Sequence, residues 1–357
     1  MNKLLTFLKI ASARSFGMPL YLIFFVTNRC NAGCQHCFYH DHLNDPDVPE
    51  LSLDEIEKIS LHMGSLFTIN LTGGEPFLRN DLDKIVRLFY RNTHIRTIGI
   101  PTNGLLTDKI IETVKVILEE CSEVMLNVTV SLDAVGPAHD RIRGVPGIFD
   151  KACQTIDALK NLGAKRLAVG ISMTLSSENQ ADSKGTYRYI RDELKPDFLS
   201  ILLLRGSVIQ PELKNVDPVI YQELCSEVER DIKNYFSGSM LSRIVGARDI
   251  IARKVIARSM QKKRCSGLAC YAGSLMGVIS ETGDVLPCEL LNLKLGNLRN
   301  QNYDFKKIWN SKDSQLIRGK IKDMHCFCTH ECFLNNNILF NKKCWPQLGL
   351  QVFTMMR

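Results

Sequence analysis

The chain has 357 residues, 45% hydrophobic and 23% charged, which is room for one large α/β domain and a smaller one. Its 45 basic residues outnumber 38 acidic ones for a net charge of +7, and its thirteen cysteines are bunched rather than spread. Disulfide scaffolds do not bunch in this way, and no later stretch reaches the roughly 18 apolar residues of a membrane-spanning helix, so metal-ligating thiols in a reducing, cytoplasmic setting are expected.

In chain order, residues 1–18 carry Lys3 and Lys9 among Leu4, Leu5, Phe7, Leu8 and Ile10. Lys9 breaks the apolar run of a secretory signal, so an amphipathic helix is expected, with weak attachment to a membrane surface as a further possibility. Residues 21–27 read as a strand, and the loop after it holds Cys30, Cys34 and Cys37. Cys-x3-Cys-x2-Cys supplies three thiolates to a four-iron cluster and leaves the fourth iron open to a small molecule, which points to catalysis rather than electron carriage. A zinc knuckle is the alternative, although zinc sites usually pair cysteines and close with four ligands.

Ser52 and Glu55 make a capping box, and Ile56, Ile59 and Met63 give the following helix an apolar stripe. Strands are expected at 67–72, 96–101, 124–133, 166–175 and 197–204, with helices near 80–91, 107–120, 147–162 and 184–195 between them. In three of these strands apolar residues alternate with polar or small ones, as in Leu126, Val128 and Val130 against Asn127, Thr129 and Ser131. A flat doubly wound sheet is apolar on both faces, whereas a polar inner row suits a barrel enclosing a polar ligand. The fold class expected is therefore α/β, a partial six-stranded TIM-like (β/α)6 barrel over residues 19–205 with its chemistry in the strand-end loops.

After residue 205 the alternation stops. Residues 206–260 read as a helical, basic connection, and 241–264 hold eight basic residues against the single Asp249. Ile244, Ile251 and Val255 are placed to pack inward, while the basic face suits an acidic substrate; nucleic acid is not expected, since aromatic residues are not interleaved. Residues 261–357 read as short turns, glycines and cysteines, a separate module held by its ligands. Cys121, Cys153 and Cys225 are expected to be ordinary buried residues.

Thr72-Gly73-Gly74-Glu75-Pro76 ends the second strand; its glycines let backbone approach a ligand and Glu75 can accept from an ammonium. Together with Cys30, Cys34 and Cys37, this run resembles the radical S-adenosylmethionine (radical SAM) superfamily. That resemblance implies a [4Fe–4S] cluster on the three cysteines and S-adenosylmethionine on the open iron, its amino group at Gly73, Gly74, Glu75 and Pro76. It implies reductive cleavage to a 5′-deoxyadenosyl radical that abstracts a substrate hydrogen. Thr102-Asn103-Gly104, Ser131-Leu132-Asp133 and the run from His139 to Gly144 are further matches, with Ala134 where the family usually has glycine. Asn103, Ser131, Asp133, Arg143 and Ser172 are then expected around the nucleoside.

Cys265, Cys270, Cys288, Cys326, Cys328, Cys332 and Cys344, with the run from Gly283 to Cys288, resemble the SPASM/twitch extension, which binds one or two auxiliary [4Fe–4S] clusters. The middle spacing is compressed and seven thiolates cannot close two clusters of four, so either a second cluster has an open or non-cysteine site, for which His325, His330 and Glu331 lie close enough in sequence, or a single cluster leaves spare thiols. Zinc is the alternative occupant. Glu289 stands where sulfatase-maturing members carry an acidic general base, so a catalytic role is expected for it.

The expected function is oxidation or modification of a small molecule, such as a sugar, phosphorylated or lipid precursor, with flavodoxin or ferredoxin as electron donor. Only about twenty residues precede the first strand, few for a peptide-recognition domain, yet a peptide-modifying maturase is the competing expectation. A non-catalytic iron-sulfur or zinc protein is the reading from another class.

Overall fold

The computed structural model describes residues 17–236, 239–262, 267–324 and 326–356. The expected N-terminal helix, Cys265 and His325 lie outside the described residues.

Six parallel strands follow the expected order almost residue for residue: β1 (Tyr21–Thr27), β2 (Thr68–Gly73), β3 (Thr97–Thr102), β4 (Met125–Ser131), β5 (Leu167–Leu175) and β6 (Phe198–Leu203). Between them run α1 (Leu53–Met63), α2 (Leu82–Thr93), α3 (Thr107–Glu120), α4 (Pro137–Arg143), α5 (Ile148–Asn161) and α6 (Ser183–Tyr189), the last continued by a π turn over Ile190–Leu194. The capping box forms: Glu55 N donates to Ser52 Oγ at 3.2 Å, and Ser52 N to Glu55 Oε2 at 2.8 Å.

Each strand pairs in parallel with its neighbour in sequence, so the sheet runs β6-β5-β4-β3-β2-β1 and does not close into a barrel. The predicted division of faces holds. Leu126, Val128 and Val130 are fully buried toward the helices, while Asn127, Thr129 and Ser131 are half-buried on the concave side. Ile69 and Leu71, Ile171 and Met173, and Ile201 and Leu203 continue the buried row. This is the arrangement that a partial barrel requires: a greasy outer layer under helices and a wetter inner face.

The C-terminal part departs from expectation in two ways. It does not stand apart from the barrel's sheet, because β7 (Met276–Ile279) pairs in parallel with β1, and β8 (Asp284–Leu286) and β9 (Gly296–Asn297) continue the sheet antiparallel to nine strands. Nor is it mostly turns. The connecting helices α7 (Pro218–Phe236) and α8 (Met240–Lys262) are followed by α9 (Phe305–Trp309), α10 (Lys312–Asp323), α11 (Glu331–Phe340) and α12 (Trp345–Thr354). Short helices stabilised by packing carry a weak sequence signal, since single turns of amphipathic pattern resemble loops.

Trp309 ties this part to the sheet. It is 1% exposed, stacks on Phe305 at 5.2 Å between centroids, and carries the Arg318 guanidinium 5.0 Å from its ring centre. A Cβ at Gly277 would stand 2.7 Å from the ring, so β7 needs glycine there. Arg299 makes a second tie, bonding Glu55 at 2.7 and 3.1 Å while Tyr303 Oη adds 2.9 Å; the Arg299 bond holds the Glu55 carboxyl down at about 2. Trp309→Ala is expected to cost about 3–5 kcal/mol, read as a lower denaturation midpoint with cluster content unchanged before unfolding.

Candidate active site at the ends of the parallel strands

The cysteine loop begins where β1 ends, and backbone bonds fix its base. Thr27 Oγ1 and Asn28 N both donate to Glu50 Oε1, at 2.5 and 2.8 Å. Asn44, itself at φ +57°, reaches back with both ends of its amide: Cys30 N donates to Oδ1 at 2.8 Å and Nδ2 donates to Cys30 O at 3.0 Å. Cys37 N donates to Cys34 O at 3.2 Å, a tight turn that brings the last two cysteines together.

Gly73 and Gly74 lie against this base. Gly74 N donates to Thr27 O and Glu75 N to Arg29 O, at 2.9 and 2.7 Å. Gly73 sits at φ +137°, and a Cβ on either glycine would stand 2.1 Å from a carbonyl oxygen of Thr27 or Arg29. Only glycine allows this approach. Glu75, expected to accept from an ammonium, already has three donors from the chain. It is 2% exposed and accepts from Thr102 Oγ1 at 2.9 Å, Asn103 N at 2.8 Å and Phe77 N at 3.3 Å. Burial pushes its carboxyl up to about 7 even though these donors pull it down. Glu75 thus braces the Thr102–Gly104 turn against the glycine pair, and Pro76 is buried behind it. Asn103 in turn donates from Nδ2 to Asn31 Oδ1 in the cysteine loop at 2.8 Å.

Asp133 and Arg143 form the ionic centre. Asp133 is fully buried; Arg143 Nη2 lies 2.7 Å and His36 Nε2 3.6 Å from its Oδ2, and Thr174 N donates to its Oδ1 at 2.7 Å. Burial raises the Asp133 carboxyl, but the Arg143 charge outweighs it and leaves the group below its ordinary value. Arg143 Nη1 donates to Cys34 Sγ at 3.7 Å, and its backbone carbonyl accepts from Gly33 N at 2.9 Å. His36 and His139 are both held down to about 4 by burial, so each is neutral near pH 7. Ser131 and Ser172 are register partners on β4 and β5, half-buried on the concave row.

The donor set fits the expected groups. Burial pushes Cys30 up to about 11 and raises Cys37, so thiolates here need a compensating cation, which iron provides. Arg143 Nε and His139 Nε2 are buried without a hydrogen-bond partner among the described residues, polar atoms still open to a bound ligand.

The later cysteines sort into separate places. Cys328 senses the charge of both Cys270 and Cys326, Cys288 that of Cys328 and Cys270, and burial pushes Cys288 and Cys328 up to about 12 and 11. Cys332 stands instead beside Tyr21, Arg205 and Glu289. Cys344 is 5% exposed within the main apolar core. His330 and Glu331, the candidate eighth ligands among the described residues, have other partners here, although the Glu331 charge is also felt at Cys328. His330 Nε2 is 2.9 Å from Glu289 Oε1, and Glu331 Oε1 accepts from Leu203 N at 3.2 Å.

Glu289 and Arg205 are a feature the sequence only half disclosed. Arg205, at the end of β6, lies 3.1 Å from Glu289 and 3.5 Å from Glu331, with its guanidinium 5.7 Å from the Phe38 ring centre. Burial works against the Glu289 charge, but His330 and Arg205 hold the carboxyl down at about 2. No motif marked Arg205; the only signal was a lone arginine after an apolar strand.

Comparison with known proteins agrees with this geometry. Residues 24–190 match the model of the radical SAM superfamily, and residues 270–333 match that of the SPASM iron-sulfur cluster-binding domain. The chain is 24% identical over 326 residues to the antilisterial bacteriocin subtilosin biosynthesis protein AlbA of Bacillus subtilis (strain 168), covering 88% of this chain and 66%, just under two thirds, of that protein. It is 25% identical over 319 residues to the AdoMet-dependent heme synthase of Methanosarcina barkeri, covering 85% and 87% of the two chains. Among solved structures, Streptococcus suis SuiB bound to S-adenosylmethionine superposes with a TM-score of 0.61 at 17% identity, over 91% of this chain and 75% of that one. Native anSMEcpe with bound AdoMet and a peptide gives 0.59 at 20% identity, over 92% and 87%. At these identities the structures establish the fold. Residues 24–190 are a radical SAM domain, the kind that binds S-adenosylmethionine and a [4Fe–4S] cluster, and residues 270–333 are a SPASM domain, the kind that binds auxiliary iron-sulfur clusters.

Proposed function

We propose that this enzyme modifies a small-molecule substrate by hydrogen abstraction, with Cys30, Cys34 and Cys37 holding the reactive cluster. The observation that carries this reading is the half-buried polar row on the concave face, from Asn127 to Ser131 and Ser172, facing the same end of the sheet as the cysteine loop. Bound there, the cluster and S-adenosylmethionine supply an electron and a 5′-deoxyadenosyl radical. The chain's residues supply the rest. Gly73 and Gly74 present backbone to the methionyl amino group, Arg143 neutralises charge beside Cys34, and the helix-covered sheet excludes water from the site.

Four thiolates suffice to close one cluster, so this reading assigns Cys270, Cys288, Cys326 and Cys328 to a single auxiliary cluster and leaves Cys332 and Cys344 outside it. Glu289 enters as the base. Arg205 and His330 both engage its Oε1, leaving Oε2 for a substrate group; so strongly ion-paired a carboxylate takes a proton only from a site acidified by radical formation. A small molecule is favoured because a relative covered over 87% of its length is named a heme synthase. A peptide substrate is the second reading, favoured by the likeness to AlbA, a bacteriocin biosynthesis protein.

Anaerobically reconstituted and reduced protein should form 5′-deoxyadenosine, and Cys34→Ala should abolish it while losing about four irons per chain; undiminished 5′-deoxyadenosine from the variant would overturn the assignment. Cys288→Ala should lose a second cluster by iron analysis and Mössbauer spectroscopy, whereas Cys344→Ala should keep it. Glu289→Gln should stop product formation, followed by mass spectrometry, with 5′-deoxyadenosine still released; intact turnover would remove the base role. Feeding candidate small molecules and precursor peptides to the same assay separates the two substrate classes.

A further inference from the structure

The basic segment between the barrel and the cluster domain is only partly a solvated helix face. Ile251 is buried and Ile244 and Val255 pack against apolar neighbours, as their spacing predicts, but Arg253 is also inside, at 7% exposure. Its Nη1 is buried with no hydrogen-bond partner among the described residues. The groups that sense its charge are Glu331, Cys225 and Tyr221, and none of them hydrogen-bonds it. A buried guanidinium without a bonded counter-ion is costly, and arginine donors are shaped for carboxylate or phosphate oxygens.

Arg253 is among the residues lining a cavity of about 270 Å³ between α7 and α8, together with Gln222, Cys225, Glu229, Lys254 and Arg258. The carboxylate of Glu229 is already engaged, 2.7 Å from Lys254 Nζ. Arg258, one turn beyond Lys254, is exposed and has no ion pair among the described residues. Gln261 closes one side by donating to Gln222 Oε1 at 2.7 Å. The cavity therefore offers one inner and one outer guanidinium with no carboxylate left to meet them. Its size lies near the lower end of the roughly 300–1,000 Å³ of small-ligand pockets.

We propose that this cavity binds the phosphoryl group of a small soluble ligand, Arg253 gripping it from inside and Arg258 from the rim. None of the lining residues belongs to the cysteine loop or the Gly73–Pro76 turn, so the site is distinct from that of hydrogen abstraction and does not depend on the substrate reading above.

The test is calorimetric titration of the reconstituted full-length enzyme with inorganic phosphate and with glucose 6-phosphate, ionic strength held constant with chloride and glucose as the uncharged control. Saturable binding of both phosphates, with glucose silent, is expected. Arg253→Met and Arg258→Ala should each weaken phosphate binding roughly tenfold, the size of one lost charge-assisted hydrogen bond, while iron content and substrate-free 5′-deoxyadenosine release stay at wild-type levels. Phosphate acting no differently from chloride, or Arg258→Ala binding as tightly as wild type, would overturn the proposal; the exposed Arg258 keeps that decision available even if Arg253→Met does not fold. Vesicles of phosphatidic acid in phosphatidylcholine form a third arm: capture by them without response to soluble phosphate would replace the small ligand by a lipid headgroup.

Discussion

The buried ion pair between Asp133 and Arg143 is the interaction on which the active end of the sheet depends. Their oxygen and nitrogen are 2.7 Å apart with essentially no solvent, so neither can be removed without leaving an unpaired charge in the interior, a loss of about 3–5 kcal/mol. The pair also has direction. Asp133 follows β4 and takes Thr174 N from the end of β5, while Arg143 ends α4 and reaches Cys34. One salt bridge thereby sets the cysteine loop, which hangs from β1, against strands three and four places away in the sheet. The loop needs such an anchor because its three half-buried thiols have no regular structure to hold them.

The two cysteine groups are joined through packed side chains rather than through a linker. Phe38, next to Cys37, carries Arg205 on its ring, and Arg205 bonds Glu289, next to Cys288. Tyr39 packs at a tilt against Phe25, 4.7 Å between ring centroids, and donates its hydroxyl to Glu281 in the turn between β7 and β8. Because β7 also pairs with β1, the sheet is one continuous body from β6 to β9. A rigid connection of this kind fixes the separation of two redox groups, and electron exchange between them is sensitive to separation.

Much of the barrel was legible in the sequence for local reasons. Two-residue alternation reports a strand with unlike faces, and the Ser52–Glu55 capping box reports a helix start, so strand positions came out within a residue or two. The C-terminal helices were hidden, since α9 spans only Phe305–Trp309 and its stability lies in Trp309 packing on Gly277. Glu75 shows the same limit at the site. Its residue type and place in the motif were plain, but its three donors come from the Thr102–Asn103 turn and from Phe77, and they make it a brace between the two turns, which the motif does not reveal.

By itself the sequence determined the cofactor chemistry, because thiolate number and spacing in one short loop are local properties that iron reads directly. It also determined the parallel sheet, through periodicity. Only the tertiary structure decided that Cys332 stands beside Tyr21, Arg205 and Glu289, that Cys344 is packed in the apolar core, and that Arg253 in a basic helix is buried without a bonded partner. Those outcomes depend on distances between segments far apart in the chain, which helix and sheet packing sets and no spacing along the sequence encodes.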